Sequence, residues 1–217
     1  RAFDAIPAIY IADGHHRSAA ASRVAAARRA ANPRHTGKES YNWFLTVIFP
    51  HHQMQILDYN RVVAGLNGMN VESFLARLRE SFSVEKSPRP VKPAKSGEFG
   101  LYLAGQWYRL AIHRNLIPAG DPVARIDASL LTDQLLGPVL GITDLRRDKR
   151  IDYVGGIRGL GELEKRVDSG EMTAAIALHP TRMEDLMAIA EAGTVMPTQS
   201  TWFEPTLADG MVSLVIA

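Results

Sequence analysis

Near the start of the chain, Asp13, Gly14, His15, His16, Arg17 and Ser18 stand in a row, and these residue types together can make an anion site. A strand that delivers Asp-Gly into the start of a helix gathers unpaired backbone N–H groups around one point, with the positive end of the helix dipole behind them. Gly14 lets the backbone turn sharply and come close to a ligand. Arg17 offers a planar fork of donors that suits two phosphate oxygens. His15 and His16 add hydrogen bonds, and either can take up a proton as negative charge accumulates. The competing reading is that Asp13 caps the helix, Gly14 makes the turn, and the histidines and Arg17 are solvated.

Other polar groups are less concentrated. Arg61, in the run Tyr59-Asn60-Arg61, either reaches a ligand carboxylate or lies in an exposed turn. His51 and His52, with His15, His16 and Asp13, are of the right type for zinc or manganese. No His-x-Glu or Glu-x-x-His spacing supports such a centre, so a solvated turn is expected there and no metal site is assigned. The glycines of residues 155–161 follow a strand pattern and precede a helical one, but fit neither the P-loop nor the dinucleotide fingerprint. A connector is expected.

The elements that must position these residues can be read from periodicity. Residues 5–12 form a short apolar run that predicts a buried strand ending at Asp13-Gly14, and residues 18–31, almost wholly Ala, Arg, Ser and Val, predict a helix stopped by Asn32-Pro33. Residues 42–50 are apolar on both faces and predict a central strand. Asn70 is placed to cap a helix over 71–82. Residues 87–97, rich in Pro, Lys and Ser, predict an exposed loop or linker. A hairpin over 98–113 and a leucine-rich helix over 127–140 follow. The remainder alternates: strand 151–154, helix 160–167, strand 174–178, helix 183–192, and strands at 201–203 and 211–216. Thr181 and Glu184 have the spacing of a capping box, with Gly193 placed to end that helix. The order predicts an α/β or α+β fold, a mixed sheet with flanking helices, in two segments, 1–95 and 96–217, packed together.

Composition narrows the function classes. The chain has 217 residues, 46% hydrophobic and 22% charged, as an ordinary globular protein does. Twenty-five Lys and Arg against twenty-three Asp and Glu leave a formal charge of +2, which counts against nucleic acid as a partner. The absence of cysteine excludes disulfides, thiolate metal sites and cysteine nucleophiles. With no signal-like segment and no long apolar run, a cytoplasmic location and no membrane partner are expected.

Two stretches carry a family resemblance. Ile9-Tyr10-Ile11-Ala12-Asp13-Gly14-His15-His16-Arg17 resembles the signature of the domain of unknown function 1015 family, and Met196-Pro197-Thr198-Gln199-Ser200-Thr201-Trp202-Phe203-Glu204-Pro205 resembles its second box. Members usually carry a further segment before the first box. The chain opens on Arg1 with the strand pattern close behind, so a missing N-terminal region is expected. The first box is also similar to the Gly-x-x-Arg turn of the ParB and sulfiredoxin superfamily, where it binds nucleotide phosphates; relatives there include an ADP-dependent kinase of free serine. His15 stands where sulfiredoxins have the reactive cysteine, so sulfinic acid reduction does not carry over.

What the resemblance implies is a nucleotide-phosphate-binding protein, a kinase of a small hydroxy amino acid such as serine. ADP or ATP would be held by Gly14, His15, His16, Arg17 and Ser18, with Mg²⁺ bridging phosphates. Asp13 or His16 would act as base, and Arg61, Ser200 and Thr201 would be further ligand contacts. A strand-start cap is the alternative for Ser200 and Thr201. The family usually has lysine at the positions of Gln199 and Thr206, and a Tyr-Glu pair at Ser18-Ala19. These departures remove cations and one carboxylate. The rival reading is a non-catalytic module that binds nucleotide or DNA, with Arg23, Arg28 and Arg29 on the first helix as its local support.

Overall fold

The structure, a computed structural model, describes residues 3–197, 199–205 and 213–214. The chain divides into two compact units, Ile56–Trp202 and Arg1–Gln55 with Phe203–Ala217.

The larger unit is built on strands whose successive residues face two different cores. Strands β2 (Tyr59–Val63), β3 (Phe82–Ser87), β4 (Glu98–Leu103), β5 (Gln106–Ile112), β6 (Ile151–Gly155) and β7 (Ala174–Leu178) form one sheet in the order β3-β5-β4-β7-β2-β6. Every pairing is antiparallel. The α+β class predicted from the sequence is therefore observed, with an antiparallel sheet in place of a mixed one. One face carries Val63, Leu101, Leu103, Leu110 and Ile176 against Phe74, Leu78, Leu131 and Leu135. The other carries Val62, Tyr102, Trp107, Ala175 and Ala177 against Leu163. Period-two alternation thus feeds two cores at once.

Helix α2 (Val71–Leu78) starts where expected, the Asn70 side chain accepting the Ser73 N–H at 2.8 Å. It stops short of 82 because Phe82 opens β3. The hairpin β4–β5 turns on Ala104 and Gly105, both at positive φ (50° and 74°), the backbone that a two-residue turn between right-twisted strands requires. The leucine-rich segment forms α3 (Asp127–Leu131), continued by one π-type turn, Thr132–Leu136. Helices α4 (Gly159–Asp168) and α5 (Met183–Glu191) follow their patterns. The expected capping box of α5 does not form: no side chain caps that helix, and Thr181 instead donates its hydroxyl to the Ser200 carbonyl. Gly193 does end it, at φ 68°. The loop 87–97 lies within this unit, with Val91 buried under Gly100.

The smaller unit holds helix α1 (His15–Ala31), ended at Asn32 as expected. The strands expected over 5–12 and 42–50 are absent. Both runs lie outside the regular strands, with Ile9, Ile11, Trp43, Val47 and Ile48 exposed. Apolar character supplies the faces of a strand but not the neighbouring chain that takes its N–H and C=O groups, and the periodicity is silent on the latter. After α1 the chain is folded locally by Glu39, whose carboxylate accepts the Thr36 and Gly37 N–H groups and the Thr36 hydroxyl. Short strands β1 (Gln55–Leu57) and β8 (Trp202–Glu204) lie where the chain passes from one unit to the other. Most of the strand expected over 211–216 is outside the described residues.

Two tests follow from this packing. A Cβ at Gly100 would sit 2.2 Å from the Val91 carbonyl oxygen, so Gly100→Ala should lower urea stability by about 1–3 kcal/mol, the usual cost of overpacking. Gly120→Ala, with nothing within 4 Å, should stay within about 0.5 kcal/mol of the parent. In the smaller unit the Thr36 N–H holds the Glu39 carboxyl down at about 2, against the partial desolvation that raises it. Its contribution is therefore complete above the ordinary 4.5 and lost as pH falls through about 2. A carboxyl ¹³C titration should find that midpoint; a value near 4.5 would mean that the Thr36–Glu39 turn is not formed.

Candidate functional site

Residues 13–18 make the turn that the sequence predicts, although no strand feeds it. Gly14 is the N-cap of α1 at φ 82°, ψ 26°, a left-handed conformation that costs a residue with a Cβ about 1–2 kcal/mol. The first intrahelical bond runs from Ser18 N–H to the Gly14 carbonyl at 2.9 Å. No side chain caps the helix. Asp13 Oδ1 accepts the Gly14 N–H at 2.7 Å, which narrows the available cradle from residues 14–18 to the N–H groups of His15, His16 and Arg17. Asp13 Oδ2 also lies 3.9 Å from Arg17 Nη2, with both side chains more than two-thirds exposed. A pair so open to water is weak, and a multiply charged anion can displace it. His15 and His16 are exposed.

The larger unit gathers the other candidates. Arg61 is neither in an exposed turn nor open to ligand: it is 1% exposed, in the middle of β2. Its guanidinium lies 4.9 Å from the Tyr153 ring centroid and 5.6 Å from that of Tyr59, and donates to the carbonyls of Tyr59 and Gln199, the latter at 2.7 Å. Burial lowers its pKa to about 10, while Tyr153 and Tyr59 work the other way, so it stays charged at neutral pH. Arg61 thus binds the second box by its backbone. Ser200, also buried, donates its hydroxyl to the Pro197 carbonyl at 2.7 Å. Thr201 follows, half-buried, just before β8. Gln199 is exposed, its backbone at φ 57°; Thr206 lies outside the described residues.

The glycines at the end of β6 turn out to serve packing. A Cβ at Gly155 would meet the Trp202 ring at 2.8 Å, and one at Gly156 would meet Asp58 Oδ1 at 2.3 Å. His51 and His52 sit in a short 3-10 turn with their rings edge to face at 5.6 Å. Among the described residues there is no cluster of three or more His, Asp or Glu side chains able to hold a metal, and no helix long and apolar enough to cross a membrane.

One polar residue of the larger unit had gone unnoticed in the sequence. Asp127, first residue of α3, is 6% exposed; its Oδ1 accepts Ser96 Oγ–H at 2.6 Å and Gly97 N–H at 2.8 Å. The only available signal was a carboxylate set among Ile126, Ala128, Leu130 and Leu131.

The turn at 13–18 lies within a stretch that matches a known family. Residues 1–129 match the family described as "Protein of unknown function (DUF1015)". The chain belongs to the DUF1015 family. The second box, 196–205, lies beyond the matched part. No protein of curated function matches the chain. Among solved structures, the free serine kinase in complex with AMP is 14% identical and aligns over 88% of this chain and 66% of its own, with a TM-score of 0.47. A mutant of that kinase with ADP is 15% identical over the same shares, at 0.45. A conserved hypothetical protein from Pyrococcus furiosus is 15% identical over 91% of this chain and 71% of its own, at 0.46. The DUF1015 chain spans 66% of the length of the kinase chains it matches.

Arg61→Lys tests the placement of the buried guanidinium. Lysine keeps the charge but cannot serve two carbonyls while lying flat on two rings. The variant should lose about 1.5–3 kcal/mol in urea unfolding, the range for hydrogen bonds to a charged group. Parent-like stability would mean that Arg61 does not hold the second box.

Proposed function

We propose that this DUF1015 protein binds the phosphates of ADP or ATP at the start of α1 and transfers a phosphoryl group to a small hydroxy amino acid such as serine. The observation that carries the reading is an uncapped helix start, with Gly14 in the left-handed conformation and the exposed Arg17 beside it. Three N–H groups, the helix dipole and a guanidinium then converge on one anion. The likeness of Gly14-His15-His16-Arg17 to the nucleotide-binding Gly-x-x-Arg turn supports phosphate over other anions.

In this reading the incoming phosphate takes the place of the Asp13 carboxylate at Gly14 and Arg17. Asp13 is thereby released, and it or His16 accepts the proton of the acceptor hydroxyl. Catalysis is then positioning and charge stabilisation. Asp13 is the lone carboxylate of the turn, and one carboxylate does not make a protein-held Mg²⁺ site; Mg²⁺ would arrive on the nucleotide. Ser200 and Arg61, committed to the Pro197 and Gln199 carbonyls, stabilise the second box in this scheme.

A second reading, a non-catalytic nucleotide- or DNA-binding module, is favoured by one feature. Helix α1 carries Arg17, Arg23, Arg28 and Arg29 with no acidic residue and no buried one. DNA retention that falls steeply with salt would select it.

Calorimetry with ADP and ATP tests the first reading. Arg17→Ala should weaken binding by about 1.5–3 kcal/mol, roughly ten- to a hundredfold. Asp13→Ala, which removes the competing carboxylate, should tighten it while abolishing any transfer to serine that depends on Asp13. Equal affinity of both variants and parent would move the nucleotide away from this turn.

A further inference from the structure

The larger unit holds a buried acid that the proposed phosphate chemistry does not use. Asp127 Oδ1 is doubly bonded, to Ser96 on an exposed loop and to the Gly97 N–H. Its other oxygen, Oδ2, is buried and has no hydrogen-bond partner among the described residues. Its neighbours Ile126 and Ala128 pack with Ile189 in an apolar cluster flanked by Val123 and Met196. One carboxylate oxygen thus has the donors that a charge requires and the other has none.

The charged groups around it do not fill that gap. His179, just past the end of β7, and Asp185, on α5, act on Asp127 with opposite sign. Asp185 is itself held by Arg125 at 3.0 Å and by Arg182 at 2.9 Å, so those guanidiniums are spent on it. On the loop side, Lys95 pairs with Glu98 at 3.7 Å. A neutral acid leaves a single uncharged donor unmet at Oδ2, whereas a carboxylate leaves a charge unmet, at much greater cost.

We propose that Asp127 is a proton-operated latch: as a neutral acid it ties the Ser96–Gly97 loop to the start of α3, and when charged it favours an opening that lets water reach Oδ2. Burial, the largest influence, raises its pKa to about 6 from the ordinary 3.8, while the Ser96 and Gly97 bonds pull the other way. The sign follows from linkage. The closed state binds the proton more tightly than the open one, so closure is strongest below about 3.8, weakens as pH rises from there, and levels off above about 6. A difference of about two pK units corresponds to roughly a hundredfold change in the opening equilibrium.

Amide hydrogen exchange by NMR, corrected for intrinsic rates, reads this directly. Protection at Gly97 should fall about a hundredfold between about pH 3 and 7 and then stay level. In Asp127→Asn, which keeps an acceptor but cannot charge, protection should be flat with pH. Protection that is flat in the parent, or that keeps its slope in Asp127→Asn, overturns the latch. If Asp127→Asn does not fold, the carboxyl ¹³C titration decides. The parent should titrate near 6, and Ser96→Ala, which removes a bond favouring the charged form, should titrate higher still; a parent midpoint near 3.8, or a downward shift in Ser96→Ala, overturns it.

Discussion

Strand β7 must be buried on both faces, and much of the larger unit is arranged around that requirement. Ala174, Ile176 and Leu178 belong to one core and Ala175 and Ala177 to the other, all at most 4% exposed. Its alanines let α4 approach closely on one side, while Ile176 fills the space on the other. A strand so enclosed has no water to satisfy its backbone, so the neighbours β4 and β2 take up its ladder. Where β2 no longer pairs with it, Asn60 Oδ1 accepts the Leu178 N–H at 3.0 Å, and Asn60 is held in turn by Asp58 at 2.6 Å. Asn60 is buried for this reason, and its neighbour on β2, Arg61, serves the carbonyls of Tyr59 and Gln199.

This explains what the sequence showed and what it hid. In the larger unit, apolar period and turn chemistry agreed with tertiary packing, so β4 to β7 and helices α2, α4 and α5 were legible, as was the Asn70 cap. Antiparallel order was not, because alternation of strands and helices in the chain is compatible with either direction. Thr181 and Glu184 have the spacing of a capping box, yet Thr181 went to Ser200, a partner distant in sequence that no local pattern reveals. Gly155 and Gly156 looked like a connector, and only the positions of Trp202 and Asp58 show why no side chain fits there. Arg61 is expected from the sequence either at a ligand or in an exposed turn, and neither reading anticipates burial, because arginine seldom lies buried. In the smaller unit, runs 5–12 and 42–50 had the faces of strands but not the edges.

The turn at residues 13–18 was the most legible part of the candidate site, because its chemistry is local. Gly14 in the left-handed conformation, the start of α1 and Arg17 four residues after Asp13 all follow from short-range sequence. What the sequence left open was the state of Asp13. It is neither a conventional cap, which would reach the N–H of the second or third helical residue, nor a free base. It takes the Gly14 N–H and faces Arg17 weakly, and in the proposed scheme it holds the place that a phosphate would take.

Holding a phosphate and transferring it place different demands on such a site. Holding needs only donors already in place, and the N–H groups of His15, His16 and Arg17 are fixed by the helix that follows them, so little ordering entropy is lost on binding. Transfer needs cations that follow the charge as it moves onto the leaving oxygen. Here Arg61 is committed to two carbonyls and two rings, and Gln199 offers only a neutral amide. Arg17 is the cation of the signature turn, and it must serve both demands. In the proposed scheme the cations available for transfer are thus fewer than the donors available for binding, and of its two steps it is the holding of an anion that the local geometry favours more strongly.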